Sequence, residues 1–278
     1  MKNNYPKDAL KIKLDDKSKS LRKLCVETLE SGKRAHLGSA MSILEILSVA
    51  YYDFLNISPN NFNDINRDRF ILSKGHGCLA LYVILADLGF FNKSYLKKFC
   101  HPDSILGGHP EYKKINGVEA STGALGHGLP IGIGMAISSK INKIDNNILV
   151  LLGDGEQNEG SIWESALSAS KHQLDNLIVL IDYNKIQSYG FVKDVLNLEP
   201  LSSKWESFGF NVHEVNGHDK KQIKDALNST KNLNQKPNAI ICHTIKGKGF
   251  KFAENNPNWH HKSNLSEEEI NLLYEAIR

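Results

Sequence analysis

The sequence predicts an α/β fold, a doubly wound and mainly parallel sheet flanked by helices. Two apolar runs of strand length, residues 148–152 and 177–181, each end in polar residues, and the segment between them, 161–171, has the pattern of a helix. Strand, helix and strand in this order form a βαβ unit with parallel strands. Ligands of α/β proteins bind at the carboxyl edge of such a sheet, so the residues that follow each run are the first candidates for function.

The rest of the chain continues the alternation of helices and strands. Helices are predicted at 18–30, 42–55, 78–88, 129–141, 200–208, 220–231 and 266–278, strands at 70–73, 211–215 and 238–243, and a loop at 187–191. Ser42 and Glu45 fit a capping box at the start of the second helix. The small residues Gly132, Gly134 and Ala136 indicate that another element packs tightly against the fourth helix. We expect one doubly wound domain over 1–278, with an N-terminal helical arm at about 1–20.

Composition excludes several classes of partner. The chain has 278 residues with 34 basic and 31 acidic side chains, and the net charge of +3 gives no reason to expect nucleic acid or an anionic membrane. No apolar run has membrane-spanning length, and the N-terminus has no apolar signal core. The cysteines Cys25, Cys78, Cys100 and Cys242 are far apart, which predicts reduced thiols in a cytosolic protein.

The residues after the two central strands suit a hard cation. Asp154 offers a carboxylate oxygen, Asn184 an amide oxygen and Ile186 a loop carbonyl, which are ligands that Mg²⁺ accepts when phosphate and water oxygens complete the octahedron. Gly153 and Gly155 flank the carboxylate and allow close approach by a bulky anion. Taken alone, Gly-Asp-Gly is equally typical of a simple turn, and the added Asn184 about thirty residues on makes the pattern specific.

Other polar loops are weaker signals taken singly. The turn that carries His76 joins a strand to a helix, so it could receive an anion at the helix N-terminus or could be a tight turn with a structural histidine. His36 stands alone in its loop, where a solvated or structural role is the commoner one. A dinucleotide fingerprint fails at 126–128, because the third glycine is missing and no apolar strand precedes it. The basic loop 244–249 can wrap a phosphate but is not a P-loop.

Together these loops resemble the N-terminal, diphosphate-binding part of transketolase, a thiamine-diphosphate enzyme, from about residue 10 to residue 278. The matching segments, in family order, are 36–38, 72–76, 108–111, 118–126, 153–184, 246–249 and 259–260. Gly-His-Pro-Glu at 108–111 favours transketolase over the related 1-deoxyxylulose-phosphate synthase. Tyr183 stands where the family often has a first Asn, Leu37 replaces a frequent Pro, and the run 33–35 is longer than in many relatives.

The resemblance implies a role for each matching position. Asp154, Asn184 and the Ile186 carbonyl would hold Mg²⁺ or Ca²⁺ on the cofactor diphosphate. The remaining roles form four sets: His76, Gly155, Lys246 and His260 along the diphosphate; Gly123 and Leu125 beside the cofactor rings; His36, His76, His109 and His260 as catalytic residues at the substrate; and Glu159 and Glu164 reaching across a subunit contact towards a second cofactor site. Histidines suit proton transfers near neutral pH, and the cofactor carries the chemistry of ketol transfer.

The resemblance also implies a partner. In the family a second domain holds the cofactor's aminopyrimidine, and this sequence stops at Arg278 after the first domain. We therefore expect a split transketolase, in which a separate chain brings the pyrimidine-binding and C-terminal domains and this chain forms a homodimer within a heterotetramer. Two alternatives remain open: the same chemistry on a specialised keto acid or activated sugar, and a non-catalytic binding module.

Overall fold

The computed structural model describes residues 5–188, 190–231, 235–262 and 264–277. The strands are Arg69–Leu72 (β1), Ile148–Gly153 (β2), Leu177–Tyr183 (β3), Ile186–Gln187 (β4), Gly190–Phe191 (β5), Asn211–Asn216 (β6) and Asn238–His243 (β7). The α-helices are Tyr5–Lys11 (α1), Asp16–Gly32 (α2), Leu37–Met41 (α3), Leu44–Val49 (α4), Cys78–Asp87 (α5), Gly128–Ile141 (α6), Gly160–Lys171 (α7), Val192–Val195 (α8), Leu201–Ser207 (α9), Lys220–Ser229 (α10) and Glu267–Ala276 (α11).

The sheet confirms the predicted fold class. Across the described part of the chain, five strands pair in the order β1-β2-β3-β7-β6, and every pairing in this sheet is parallel. The predicted βαβ unit is β2-α7-β3, with Ile148 opposite Leu177 and Gly153 opposite Asp182. Since all five strands point the same way, the residues that follow them gather at one edge.

Side chains along each central strand alternate between two cores. Leu149 and Leu151 of β2 join the core formed with α2, α4, α5 and α10, whereas Val150 and Leu152 join the core formed with α6, α7 and α9. All four are fully buried, as expected for a parallel strand covered by helices on both faces. The helices of the second core include α6, where Gly132 lies so close to the sheet that a Cβ would stand 2.5 Å from Val150 Cγ2.

Three local predictions were wrong. Ser42 does not cap a helix, because its hydroxyl donates to Asp182 at 2.7 Å, and α4 begins two residues later with a π-helical turn, Ala50–Phe54, after it. The predicted loop at 187–191 contains the β4–β5 hairpin. Gly134 faces open space and does not pack tightly, unlike Gly132.

Other predictions hold. Ser266 and Glu269 form the capping box of α11, with hydrogen bonds of 3.1 Å in both directions. The four cysteines are free thiols, and Cys25, Cys78 and Cys242 are buried. Over the described ranges, no helix combines the length and the apolar character needed to cross a membrane.

Candidate active site

The three predicted metal ligands come together at the carboxyl edge of β2 and β3. Asp154 is buried, and its carboxylate accepts hydrogen bonds from the Gly155 N–H at 2.7 Å and the Lys185 N–H at 2.5 Å. Lys185 lies between Asn184 and Ile186, so Asp154 is tied directly to the segment that carries the other two ligands. The Asn184 amide oxygen accepts from the Ile186 N–H at 3.1 Å, which fixes the side chain.

A buried ion pair that the sequence analysis did not assign lies beneath these ligands. Asp182 is fully buried, and its two oxygens accept hydrogen bonds from Lys74 Nζ, Thr244 Oγ1, Ser42 Oγ at 2.7 Å and Asn184 Nδ2 at 2.9 Å. Burial acts to raise the pKa of Asp182, but the Lys74 charge and these hydrogen bonds outweigh it and hold the pKa below its usual value. Asp182 therefore orients Asn184 through a charge-assisted contact.

Lys246 completes this edge. Its ammonium is buried and donates to the Ile186 carbonyl at 2.6 Å. Burial lowers the pKa of Lys246 to about 8, against the attraction of Asp154, and burial raises the pKa of Asp154 to about 6, with Asp182 adding to the rise. Both charged forms are thus incompletely solvated by the protein. An edge of this kind favours a ligand that brings a cation to the carboxylate and an anion to the ammonium.

Glu156 ties three loops together behind the edge. Its buried carboxylate accepts from Ser73 Oγ at 2.5 Å, the Gly126 N–H at 2.9 Å and the Gly153 N–H at 3.0 Å. Burial raises its pKa, against these hydrogen bonds. The loops after β1 and β2 and the loop before α6 are therefore held in one arrangement.

Histidines from four separate loops meet beside this edge. The His36 ring centroid lies 5.3 Å from His76, 6.0 Å from His109, 5.6 Å from His260 and 4.5 Å from His261. His76 and His260 lie 5.8 Å apart. All four predicted catalytic histidines are thus brought together, and His261 joins them as a fifth ring that the sequence analysis did not assign. We call these five residues the histidine cluster.

The four predicted histidines of the cluster are held in the uncharged state. Burial, followed by repulsion from His261, lowers the pKa of His36 to about 4, and burial with repulsion from Lys246 lowers that of His260 to about 3. The pKa of His76 falls well below its usual value through burial and Lys74, and that of His109 falls through burial. Neutral imidazoles can accept or donate a proton near pH 7, which is what oxygen chemistry on a sugar requires.

Close backbone packing joins the histidine cluster to the ion edge. A Cβ on Gly38 would lie 2.9 Å from the Trp259 carbonyl and 3.0 Å from Lys246 Cγ, so the loops that carry His36, Lys246 and His260 need glycine there. The Gly247 N–H donates to the Gly38 carbonyl at 3.1 Å. The histidine cluster therefore opens directly onto the ammonium of Lys246.

The other predicted positions fall into two groups. Gly123 has a φ of +145° and would place a Cβ 3.0 Å from the His109 ring, and Leu125 lies half-buried two residues on, so both belong to the same cleft. Gly155 would place a Cβ 2.8 Å from Gln187 Cβ. Glu159 and Glu164 are exposed and contribute nothing to the histidine cluster or the ion edge within this chain.

A second buried ion network braces the Lys246 loop from behind. Glu45 pairs with Arg22 at 2.7 Å and with His218 Nδ1 at 2.7 Å, and His218 Nε2 accepts the Ile245 N–H at 2.9 Å. Arg22 Nε also donates to the Lys248 carbonyl at 2.8 Å. This network fixes the backbone on both sides of Lys246.

The brace extends to the N-terminal arm. Lys248 is buried, and its ammonium donates to the Ala9 and Leu10 carbonyls of α1 at 3.0 Å each. The basic loop predicted to wrap a phosphate thus uses Lys246 at the cleft and Lys248 to hold α1.

Part of what the sequence analysis missed had a visible signal. Lys74 and Asp182 each follow an apolar strand, and a charge in such a place needs a buried partner. His261 directly follows a predicted site histidine. Glu156 had no such signal, because its partners are backbone groups of distant loops.

The comparisons with known proteins agree with this geometry. Residues 15–277 match the family described as transketolase, thiamine diphosphate binding domain. One of the two subunits named for an apulose-4-phosphate transketolase, from Actinobacillus succinogenes, is 44% identical over 266 residues, which cover 95% of this chain and 96% of that protein. The 6-deoxy-6-sulfo-D-fructose transketolase subunit of a Clostridium species is 38% identical, with 87% of this chain and 88% of that protein covered.

Full-length transketolases match over their first part. Human transketolase is 31% identical over 283 residues, and the match spans 45% of its length. The crystal structure of transketolase from Campylobacter jejuni superposes with a TM-score of 0.85 at 34% identity, covering 94% of this chain and 42% of that one. The chain therefore belongs to the transketolase thiamine diphosphate binding domain family.

Proposed function

We propose that this chain is the N-terminal subunit of a split, thiamine-diphosphate-dependent transketolase. It transfers a two-carbon ketol unit from a ketose or ketose phosphate to an aldose or aldose phosphate in the cytoplasm. One observation carries the proposal: the uncharged histidine cluster and the ion edge of Asp154, Asn184, Ile186 and Lys246 share one cleft.

The residues of the ion edge fit the cofactor and its metal. Asp154, Asn184 and the Ile186 carbonyl provide three oxygens of different kinds, which suit Mg²⁺ or Ca²⁺ when diphosphate oxygens complete the shell. Lys246, whose charge is poorly compensated by the protein, faces the same edge and suits the diphosphate. His260 Nδ1 is buried and has no hydrogen-bond partner within the described residues, so it too can take a ligand contact. Gly155 and His76 would lie along the same anion.

When bound, thiamine diphosphate supplies the reactive carbon of ketol transfer. The chain's own residues bind and orient the substrate around it. His36, His76, His109 and His260 hold or move protons at the substrate's hydroxyl and carbonyl oxygens, for which their lowered pKa values prepare them. Gly123 and Leu125 leave room for the cofactor rings.

A separate chain would supply the pyrimidine-binding and C-terminal domains. Two relatives whose length this chain matches are named as transketolase subunits, and the human enzyme is more than twice as long. We further propose a homodimer of this chain within a heterotetramer. The exposed carboxylates Glu159 and Glu164 are then available for a contact between copies.

The sugar is the open point, and the relatives favour a specialised one. Two of them are named for apulose 4-phosphate and 6-deoxy-6-sulfo-D-fructose. A substrate of that kind is the second candidate beside the sugars of the pentose phosphate pathway. A purely structural binding module would not need buried, poorly compensated charges such as Asp154 and Lys246 at a shared edge.

The test uses the chain co-purified with its partner from the native source. We expect thiamine diphosphate to bind only with Mg²⁺ or Ca²⁺ in calorimetry, and ketol transfer to require both chains. Asp154→Asn should weaken cofactor binding by at least about 100-fold, since even residues that only support metal ligands cost 10- to 100-fold.

Asp145→Asn is the matched control, because it removes an exposed carboxylate at the other edge of the sheet, just before β2. It should leave binding and transfer unchanged. Metal-independent cofactor uptake, or full transfer by the Asp154 variant, would contradict the proposed site. Full activity of this chain alone would contradict the partner.

A further inference from the structure

A pocket of 300 Å³ continues from the histidine cluster towards the surface. Its inner wall is made by His36, His76 and His109, and its outer wall includes Arg34, His101 and His261. The volume lies at the lower end of the range for ligand pockets, about 300–1,000 Å³, and suits a small polar molecule. We call Arg34, His101 and His261 the basic rim.

The charge of the basic rim is not balanced. Among the described residues that line the pocket, none is acidic. Arg34 makes no hydrogen bond or ion pair with any residue that the structure describes, whereas nearby Lys98 and Lys262 pair with Asp103 and Glu269. A guanidinium with all five donors available is well suited to a tetrahedral oxyanion, which it can contact with two parallel hydrogen bonds.

The backbone and a neighbouring ring hold the basic rim in place. Arg34 lies between Lys33, the left-handed residue that ends α2 at φ +50°, and Ala35, which pairs with Lys262 through two hydrogen bonds of 3.0 Å. The His101 ring contacts the Ser31 carbonyl at 3.2 Å. The basic rim is thus fixed at one end of the pocket, while the reacting atoms belong to the other end, beside Lys246.

We propose that the basic rim binds the anionic end group of the sugar substrate, a phosphate or a sulfonate. This inference rests on the proposed function and adds to it the class of substrate. The uncharged histidines hold the reacting end of the sugar, and Arg34 holds the charged end. The chain itself then contributes to selecting sugars with a terminal oxyanion, independently of what the partner chain adds.

The test compares charged and uncharged sugars on the complex with the partner chain, thiamine diphosphate and Mg²⁺. L-Erythrulose serves as a neutral donor, with D-erythrose 4-phosphate or D-erythrose as acceptor, and 6-deoxy-6-sulfo-D-fructose serves as the sulfonate donor with D-erythrose. Arg34→Ala should lower kcat/KM for the phosphate or the sulfonate sugar by about 10- to 100-fold, the usual effect of losing a hydrogen bond to a charged group. It should leave the reaction of the two neutral sugars unchanged.

Two further variants separate geometry from general charge. Arg34→Lys keeps the charge but loses the two-bond contact, so it should recover only part of the loss. Lys33→Asn removes a charge one residue away from a side chain that does not line the pocket, and Asn tolerates the left-handed backbone there, so it should behave like the parent. Equal losses for neutral and charged sugars, or no loss for either charged sugar, would overturn the proposal.

A binding measurement keeps this proposal separate from the proposed function. Inorganic phosphate titrated into the same complex by calorimetry should bind the parent and lose affinity in the Arg34→Ala variant. Such binding without ketol transfer on any sugar would contradict the proposed function and leave the anion site standing. Phosphate binding that is equal in parent and variant would overturn the anion site.

Discussion

The two halves of the cleft handle charge in opposite ways. At the ion edge, Asp182 and Lys74 are buried together, and both oxygens of the carboxylate have donors. In the histidine cluster, rings lie 4.5–6.0 Å from His36 and His260 Nδ1 has no partner among the described residues. Charge is thus kept and compensated in one half, and suppressed in the other. The first half provides fixed geometry, and the second provides groups ready to exchange protons.

The largest effect should come from breaking the compensated half. Lys74→Met leaves Asp182 buried without its countercharge, which should lower the free energy of unfolding by about 3–5 kcal/mol. The double variant Lys74→Met with Asp182→Leu should recover much of this loss, because it removes the unpaired charge. Chemical denaturation of the purified chain measures both values.

A partly exposed pair provides the control for that variant. Lys140 pairs with Asp175 at 2.8 Å, and its side chain is 38% exposed. Lys140→Met should therefore cost no more than about 1 kcal/mol. If Lys74→Met costs no more than this control, the Asp182 pair does not organise the edge as described.

The pH dependence of stability should distinguish Asp154 from its compensated neighbour. Burial raises its pKa from 3.8 to about 6, so the folded chain holds the Asp154 proton more tightly than the unfolded chain does. The stabilising contribution of the protonated form is present at low pH and is lost as pH rises through about 4 to 6. In chelator, the Asp154→Asn variant should gain stability relative to the parent over this window, by at most about 3 kcal/mol.

The difference between the two unfolding curves is the quantity to measure, because other carboxylates cancel in it. It should grow from pH 4 to above pH 6 and then level off. A difference that does not change with pH would show that Asp154 is compensated after all.

The smallest effect concerns the communication between the halves. Lys246 repels the protonated forms of His36, His76 and His260, so Lys246→Met should raise the pKa values of all three. Histidine NMR titration of the two proteins measures this without any substrate. His109 and His213, whose pKa values are lowered by burial alone, are internal controls and should not move. A uniform shift of all five would indicate a structural change in place of a lost charge.

The same contrast explains what the sequence could reveal. The βαβ unit was predictable because Leu149, Val150 and their neighbours form an apolar run of strand length, and local pattern suffices for that. The histidine cluster was predictable only through family resemblance, since its rings come from separate loops. The Lys74–Asp182 pair spans 108 residues, and no local rule says that β1 and β3 lie on either side of β2.

The wrong predictions have a common physical cause, which is competition from tertiary partners. Ser42 has the right neighbours for a capping box, but the buried carboxylate of Asp182 is a stronger acceptor than a free helix end is a donor. Gly134 and Gly132 sit two residues apart on one helix, and only the residue on the sheet side packs closely. Sequence spacing identifies a face but not what covers it.

The contact between Lys248 and the first helix has a practical side. Because that ammonium holds the Ala9 and Leu10 carbonyls and its backbone is gripped by Arg22, trimming the first eleven residues would free one anchor of the cofactor loop. Shortened versions prepared for expression or crystallisation could thus lose coenzyme affinity while folding normally. Protein engineers should treat this leading helix as a working component and attach purification tags ahead of it.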